Sequence, residues 1–218
     1  KQGLKRAELF GDDQGRMVGQ HDAAGADANA LGPRRDMADD DGGGGAGDAG
    51  HIVVFGQPEP LIAEPIGGTL AATYLAGRAI TCLSSMAALR FHPRCYYRPD
   101  GHGPTETRPA MIAAVTDLSG RQTGAHRTWL AADGLDKAPI ATPRRAMGEL
   151  LGHGVRFGVA DDVLAVGEGI ETVLSPRQVL PGMPMLAALS AAHLAAVLFP
   201  PTLRRLYVLC DRDPAGDR

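Results

Sequence analysis

The chain has 218 residues, of which 44% are hydrophobic and 22% charged, and its formal net charge at pH 7 is −3. These values are typical of a soluble globular protein, and the length suits one medium domain or two small ones. No apolar run approaches the roughly 20 residues of a membrane-spanning helix, and no signal-peptide pattern follows Lys1, so we expect no membrane partner. Three cysteines without C-x-x-C spacing exclude a disulfide framework and a closed cysteine-rich zinc site, which favours a cytoplasmic location.

Residues 1–50 differ in composition from the rest of the chain. They hold 10 of the 25 acidic residues and 12 of the 29 glycines, with Asp39–Asp41 followed directly by Gly42–Gly45. Such a stretch buries too little apolar area to offset the entropy lost on ordering. We predict a disordered Gly/Asp-rich segment that serves as a solvated linker, with a binding tail as the alternative.

Residues 51–159 are predicted to form a smaller α+β subdomain. Gly67-Gly68 breaks the chain before a helical pattern, and Asp117–Gly120 has turn chemistry between two apolar runs. The predicted elements are a helix at 69–79, a short helix at 84–89, a hairpin of strands at 110–116 and 123–130, and a helix at 144–151.

Residues 160–218 change to alternating strands and helices, which predicts an α/β domain with a parallel sheet and flanking helices. The predicted strands are 163–166, 185–189 and 206–210, and the predicted helices are 170–180, with an interruption at Pro176, and 190–198. Ligands of such sheets bind beyond the carboxyl ends of the strands.

Three acidic residues follow two of these strands. Glu168 lies between two glycines after the first strand, and Asp211 and Asp213 follow the last one. Carboxylates that meet at one sheet edge form an oxygen-rich site suited to Mg²⁺, with Mn²⁺ as the alternative. Each residue also has a structural interpretation, because acidic side chains stabilise helix N-termini and Asp213-Pro214 is an ordinary start of a helix.

These acidic motifs resemble the Toprim domain of bacterial primases, topoisomerases and some nucleases, most closely the primase-like proteins of phages, plasmids and integrated mobile elements. The resemblance rests on Val166-Gly167-Glu168-Gly169-Ile170-Glu171-Thr172 and on Val208-Leu209-Cys210-Asp211-Arg212-Asp213-Pro214. It implies that Glu168 serves acid/base chemistry and that Asp211 and Asp213 bind the metal, with Glu171 as a secondary acidic residue. The reaction class that it implies is phosphoryl transfer on nucleic acid.

A basic stretch precedes the Toprim-like region, since residues 120–158 carry a net charge of +3. It resembles the basic stretch that helps to bind template and nucleotide in bacterial primases, so Arg127, Lys137, Arg144 and Arg145 are candidate phosphate contacts. The alternative is a solvated charged face. The expected partners are single-stranded DNA and nucleoside triphosphates, and a replicative helicase is a further candidate.

Three functions therefore stand as hypotheses: DNA primase-like nucleotidyl transfer in replication of a mobile element, Toprim-type nuclease activity, and nucleic-acid binding without catalysis. The chain carries neither a cysteine-rich zinc ribbon nor a G-x-x-x-x-G-K-[ST] phosphate loop. The resemblance implies a further helix and strand after Arg218. We therefore expect the Toprim sheet to be incomplete at its carboxyl end and this fragment to be inactive.

Overall fold

The computed structural model describes residues 63–83, 86–99 and 104–211, so residues 1–50 and Asp213 lie outside the described part. The strands there are β1 (Glu64–Pro65), β2 (Leu89–Tyr97), β3 (Glu106–Thr116), β4 (Gln122–Trp129), β5 (Arg144–Gly148), β6 (Val155–Phe157), β7 (Val163–Gly167), β8 (Met185–Ala187) and β9 (Arg205–Leu209). The helices are α1 (Leu70–Ala76), α2 (Ile170–Arg177) and α3 (Ala191–Ala195). We found among these residues no helix with the length and apolarity needed to cross a membrane.

The first sheet is antiparallel, with strand order β1-β2-β3-β4-β5. Its centre is the β3–β4 hairpin that the sequence predicts. The turn is held by the Asp117 carboxylate, which accepts hydrogen bonds from the Ser119 hydroxyl and from the backbone N–H groups of Ser119 and Arg121. Gly120 supplies the positive φ of 83° that closes the turn.

The helix predicted at 144–151 is wrong, because this segment forms strand β5. β5 pairs with β4, with Arg144 opposite Thr128 and Gly148 opposite Gly124. The two glycine backbones approach closely: a Cβ on Gly148 would lie 2.6 Å from the Gly124 Cα. Pairing with β4 outweighs the weak helical pattern of a short segment, and Gly148 at φ 93° ends the strand.

The short helix predicted at 84–89 is also wrong where the structure describes it. Ala87 and Ala88 form a turn and Leu89 already begins β2, whereas Ser84 and Ser85 lie outside the described residues. The first predicted helix is confirmed as α1, although it ends at Ala76. The Thr69 hydroxyl caps α1 by accepting the Ala71 N–H at 3.2 Å.

The second sheet has strand order β6-β8-β7-β9 and contains the predicted parallel strands. β7 is central, with parallel partners β8 on one side and β9 on the other. β6, which the sequence pattern does not predict, pairs antiparallel with β8. α2 and α3 connect the parallel strands, and the Ser190 hydroxyl caps α3 by accepting the His193 N–H. The mixed α/β architecture with a parallel sheet and flanking helices is therefore confirmed.

One apolar core joins the two sheets. Met111 and Ala113 of β3 share a buried cluster with Tyr74 of α1, Val173 of α2 and Ala165 of β7. The side of the first sheet that carries Met111 and Ala113 is called the inner face here. The outer face has a separate cluster around Trp129, which is 1% exposed.

Candidate functional site

Glu168 and Asp211 leave neighbouring parallel strands at the same edge of the second sheet. Gly167 of β7 pairs with Leu209 of β9, so Glu168 follows the paired position by one residue and Asp211 follows it by two. Parallel strands lie about 4.8 Å apart, which brings the backbones of the two segments together. The Glu168 side chain is exposed and that of Asp211 is half-buried.

The glycine before Glu168 is required by packing. A Cβ on Gly167 would lie 2.9 Å from Val173 Cγ1 and 3.2 Å from the Leu209 carbonyl oxygen. Only a residue without a side chain lets α2 approach β7 this closely. The Gly-Glu-Gly pattern therefore sets the start of α2 directly against the strand end that carries Glu168.

The backbone at Glu168 is also held from the β8 side. The Ala188 N–H donates to the Gly167 carbonyl at 2.9 Å, and the Leu189 N–H donates to the Glu168 carbonyl at 2.7 Å. Leu189 makes its bond with φ at 76°, a region that costs a non-glycine residue about 1–3 kcal/mol. Strained backbone thus fixes the peptide that carries the candidate acid/base residue.

The Asp211 carboxylate is bound by a residue of α2. The Thr172 hydroxyl donates to Asp211 Oδ2 at 3.0 Å and joins the first turn of the helix to the segment after β9. This contact connects the Glu168 motif with the Asp211 motif through side chains. Sequence reasoning did not assign Thr172 a role, although it lies within the quoted Toprim-like motif.

Glu171, the secondary acidic residue, contacts α1. Its Oε1 accepts a hydrogen bond from the Tyr74 hydroxyl of α1 at 2.5 Å. Tyr74 is fully buried, and burial, followed by the charge of Glu171, raises the pKa of its hydroxyl. The Arg78 guanidinium stacks on the Tyr74 ring at 3.7 Å. This arrangement makes Glu171 a link between the two sheets.

The donor atoms at the sheet edge fit a hard divalent cation. Glu168 and Asp211 offer carboxylate oxygens, the ligands that Mg²⁺ prefers. Within residues 63–83, 86–99 and 104–211, no three His, Cys, Asp or Glu side chains form a group that could hold a metal ion. Asp213, the third predicted carboxylate, lies outside those ranges.

The four predicted phosphate contacts do not form one surface. Residues directly opposite in antiparallel strands share a face, so Arg144, paired with Thr128, lies on the inner face of the first sheet and is exposed there. Arg127 and Arg145 pair with each other on the outer face. Lys137 lies in the connection after β4, where it forms a bridge with Leu130.

The two outer-face arginines have structural contacts of their own. Arg127 is 9% exposed, and its guanidinium carbon lies 5.0 Å from the centre of the Trp129 ring. Arg145 donates to the Thr142 hydroxyl and to the Arg98 carbonyl, the latter at 2.8 Å. These contacts position both side chains against the sheet, which leaves Arg144 as the most accessible of the four residues.

His126 is an inner-face residue that sequence reasoning missed. It is 8% exposed, and its Nδ1 has no hydrogen-bond partner among the described residues. Burial, reinforced by the charge of Arg144 and opposed by that of Glu171, lowers the pKa of His126 to about 4. Strand alternation would have placed His126 opposite Ala113 on the inner face, given the hairpin register.

Comparison with known families divides the chain in two. Residues 61–157 match a domain of unknown function (DUF7146), and residues 163–218 match a Toprim domain. Neither the curated proteins nor the solved structures contain a significant match. The Toprim match begins at the first residue of β7 and includes both acidic motifs. Toprim domains generally bind a divalent metal such as Mg²⁺ and take part in nucleic-acid metabolism. The chain is therefore a Toprim domain-containing protein.

Proposed function

We propose that this protein carries out Mg²⁺-dependent nucleotidyl transfer on nucleic acid, as a primase-like enzyme of a mobile element. The observation that carries the proposal is the register between β7 and β9, which brings Glu168 and Asp211 to one sheet edge within the Toprim match. Such carboxylates can hold a divalent cation. In phosphoryl transfer, a bound cation neutralises the charge that develops on the phosphate oxygens.

Each residue has a distinct role in the proposal. Asp211 and Asp213 hold the cation, and the exposed Glu168 carboxylate moves a proton to or from the reacting hydroxyl. Arg144 on the inner face contacts a phosphate of single-stranded DNA or of a nucleoside triphosphate. Electrostatic contacts of this kind give affinity without sequence preference.

The test uses the full-length form of the protein, in which the Toprim sheet is expected to be complete. It compares two reactions with Mg²⁺ and single-stranded DNA, one with nucleoside triphosphates and one without. We expect labelled nucleotides to be incorporated, and Glu168→Gln and Asp211→Asn to reduce incorporation at least a hundredfold. Glu149→Gln is the matched control, since Glu149 is an exposed carboxylate that directly follows β5 of the first sheet. Shortening of the DNA without nucleotides would establish the nuclease alternative. Incorporation that is unchanged in Asp211→Asn would overturn the proposed role of the site.

A further inference from the structure

Thr172 joins α2 to the segment after β9 through a side-chain hydrogen bond to Asp211. Its Oγ1 lies 3.0 Å from Asp211 Oδ2, across 39 residues of sequence. Neighbouring side chains of α2 point elsewhere, since Glu171 binds Tyr74 and Val173 is buried in the shared core. The hydroxyl is therefore the group through which α2 reaches the candidate metal ligand.

The helix presents this hydroxyl from a fixed position. Val173 and Leu174 are fully buried, and Ile170 is 3% exposed, so the first two turns of α2 are packed on the second sheet. A β-branched side chain in a helix has few χ1 rotamers. Gly169 leaves room for the hydroxyl, because a Cβ at that position would lie 2.9 Å from Thr172 Oγ1.

Asp211 follows a less buried strand than Glu168 does. It follows β9, whose residues are half-buried or exposed throughout, whereas β7 is buried along nearly its whole length. The backbone of an exposed strand end does not by itself select one carboxylate orientation. A hydrogen bond from a packed helix favours one orientation of that carboxylate.

We propose that Thr172 is a positioning residue that orients the Asp211 carboxylate for the divalent cation. The inference rests on the proposed function, since it assumes that Asp211 binds the metal. Partners that hydrogen-bond to metal ligands contribute about 10–100-fold to metal affinity in other proteins. A carboxylate has two oxygens with about four lone-pair sites, so accepting one hydroxyl is compatible with binding a cation.

The experiment measures binding of Mn²⁺ alone to the full chain by calorimetry and by the loss of the free-ion EPR signal, without any enzymatic assay. Thr172→Val keeps the shape of the side chain and removes the hydroxyl, and Thr172→Ala removes it without adding an apolar group. Thr172→Ser keeps the hydroxyl. We expect Thr172→Val and Thr172→Ala to weaken Mn²⁺ binding about tenfold or more, and Thr172→Ser to stay within about threefold of the wild type.

Two further variants separate the possible failures. Thr73→Val makes the same replacement on an exposed position of α1 and is expected to leave Mn²⁺ binding unchanged. If Asp211→Asn binds Mn²⁺ like the wild type, the metal site of the proposed function is wrong. If Asp211→Asn loses binding while Thr172→Val and Thr172→Ala retain it, the metal site stands and the positioning role is wrong. Equal losses in Thr172→Ser and Thr172→Val would also overturn the role of the hydroxyl.

Discussion

The Tyr74 hydroxyl and the Glu171 carboxylate form a hydrogen bond between α1 and α2, across the boundary between the DUF7146 and Toprim matches. Tyr74 is fully buried, and the cationic Arg78 covers its ring. Loss of the Tyr74 hydroxyl would remove this donor from the half-buried Glu171 carboxylate. The pair therefore couples the first turn of the candidate catalytic helix to the first sheet.

Removing this bond is expected to weaken the fold. Tyr74→Phe should lower the free energy of unfolding by about 1–3 kcal/mol, because a hydrogen bond to a charged group contributes about that much. Urea denaturation of Tyr74→Phe, Glu171→Gln and the double variant measures the coupling between the two residues. Additive losses in the double variant would show that the contact contributes nothing to stability.

The buried His126 predicts a pH dependence of stability. Its pKa is about 4 in the folded chain and about 6.5 in an unfolded one, so the unfolded chain binds more protons between these values. The contribution of neutral His126 to the free energy of unfolding is then fully present above about pH 6.5. It falls by about 3 kcal/mol as the pH drops to about 4. Urea denaturation at several pH values should show this slope in the wild type and a much flatter one in His126→Gln.

A second group titrates in a separate window. The Ser119 hydroxyl, with further hydrogen bonds from Arg121, lowers the pKa of Asp117 to about 2. The stability that this carboxylate adds is present above its unfolded pKa and is lost only as the pH falls below about 4. A slope between pH 4.5 and 6.5 that persists in His126→Gln would contradict the assignment to His126.

Arg144 and Arg145 are adjacent in sequence and lie on opposite faces, so they form a matched pair. Arg144→Gln should weaken binding of single-stranded DNA and reduce the slope of log affinity against log salt by about 0.7, the value for one lost phosphate contact. Arg145→Gln should leave that slope unchanged and lower stability, because its guanidinium is bonded to Thr142 and to the Arg98 carbonyl. Fluorescence anisotropy at several salt concentrations distinguishes them, and equal slopes in Arg144→Gln and wild type would remove Arg144 from the interface.

The close approach of β4 and β5 gives a steric prediction. Gly148→Ala places a Cβ 2.5 Å from the Thr123 carbonyl oxygen and should prevent the β4–β5 pairing next to it. Gly120→Ala is the control, because it has the same sign of φ and nothing within 4 Å of the added Cβ. The control should lose about 1–2 kcal/mol, the cost of a left-handed alanine, and Gly148→Ala clearly more. Thermal unfolding that ranks the two variants equally would contradict the steric argument.

The sequence predicts the second sheet better than the first for a physical reason. β7, α2, β8, α3 and β9 follow each other through short connections, so local patterns specify them. β5 is a strand only because β4 is available across the sheet, a non-local fact that the pattern of Arg144–Gly148 does not contain. The same holds for β6, whose three residues form a strand because they pair with β8.

The candidate site likewise has features that local motifs predict and features that depend on non-local packing. Motifs predict that Glu168 and Asp211 follow neighbouring strands, and the register places them at one edge. The contacts of Thr172 and Tyr74 depend on how α2 is rotated against the sheets, which no local pattern reveals. The basic stretch also could not be divided into two faces without the β4–β5 register, because a one-residue shift would exchange Arg144 and Arg145.

The core shared by the two sheets has a consequence for dissecting the chain into fragments. Cutting the chain between residues 157 and 163 would expose the apolar side of α1 and β3 on one fragment and of α2 and β7 on the other. Neither fragment should be obtained as a well-behaved monomer, since each would present an uncovered oily surface. The region matched to DUF7146 thus supplies part of the interior of its Toprim neighbour, so the two should be expressed and purified together as one folding unit.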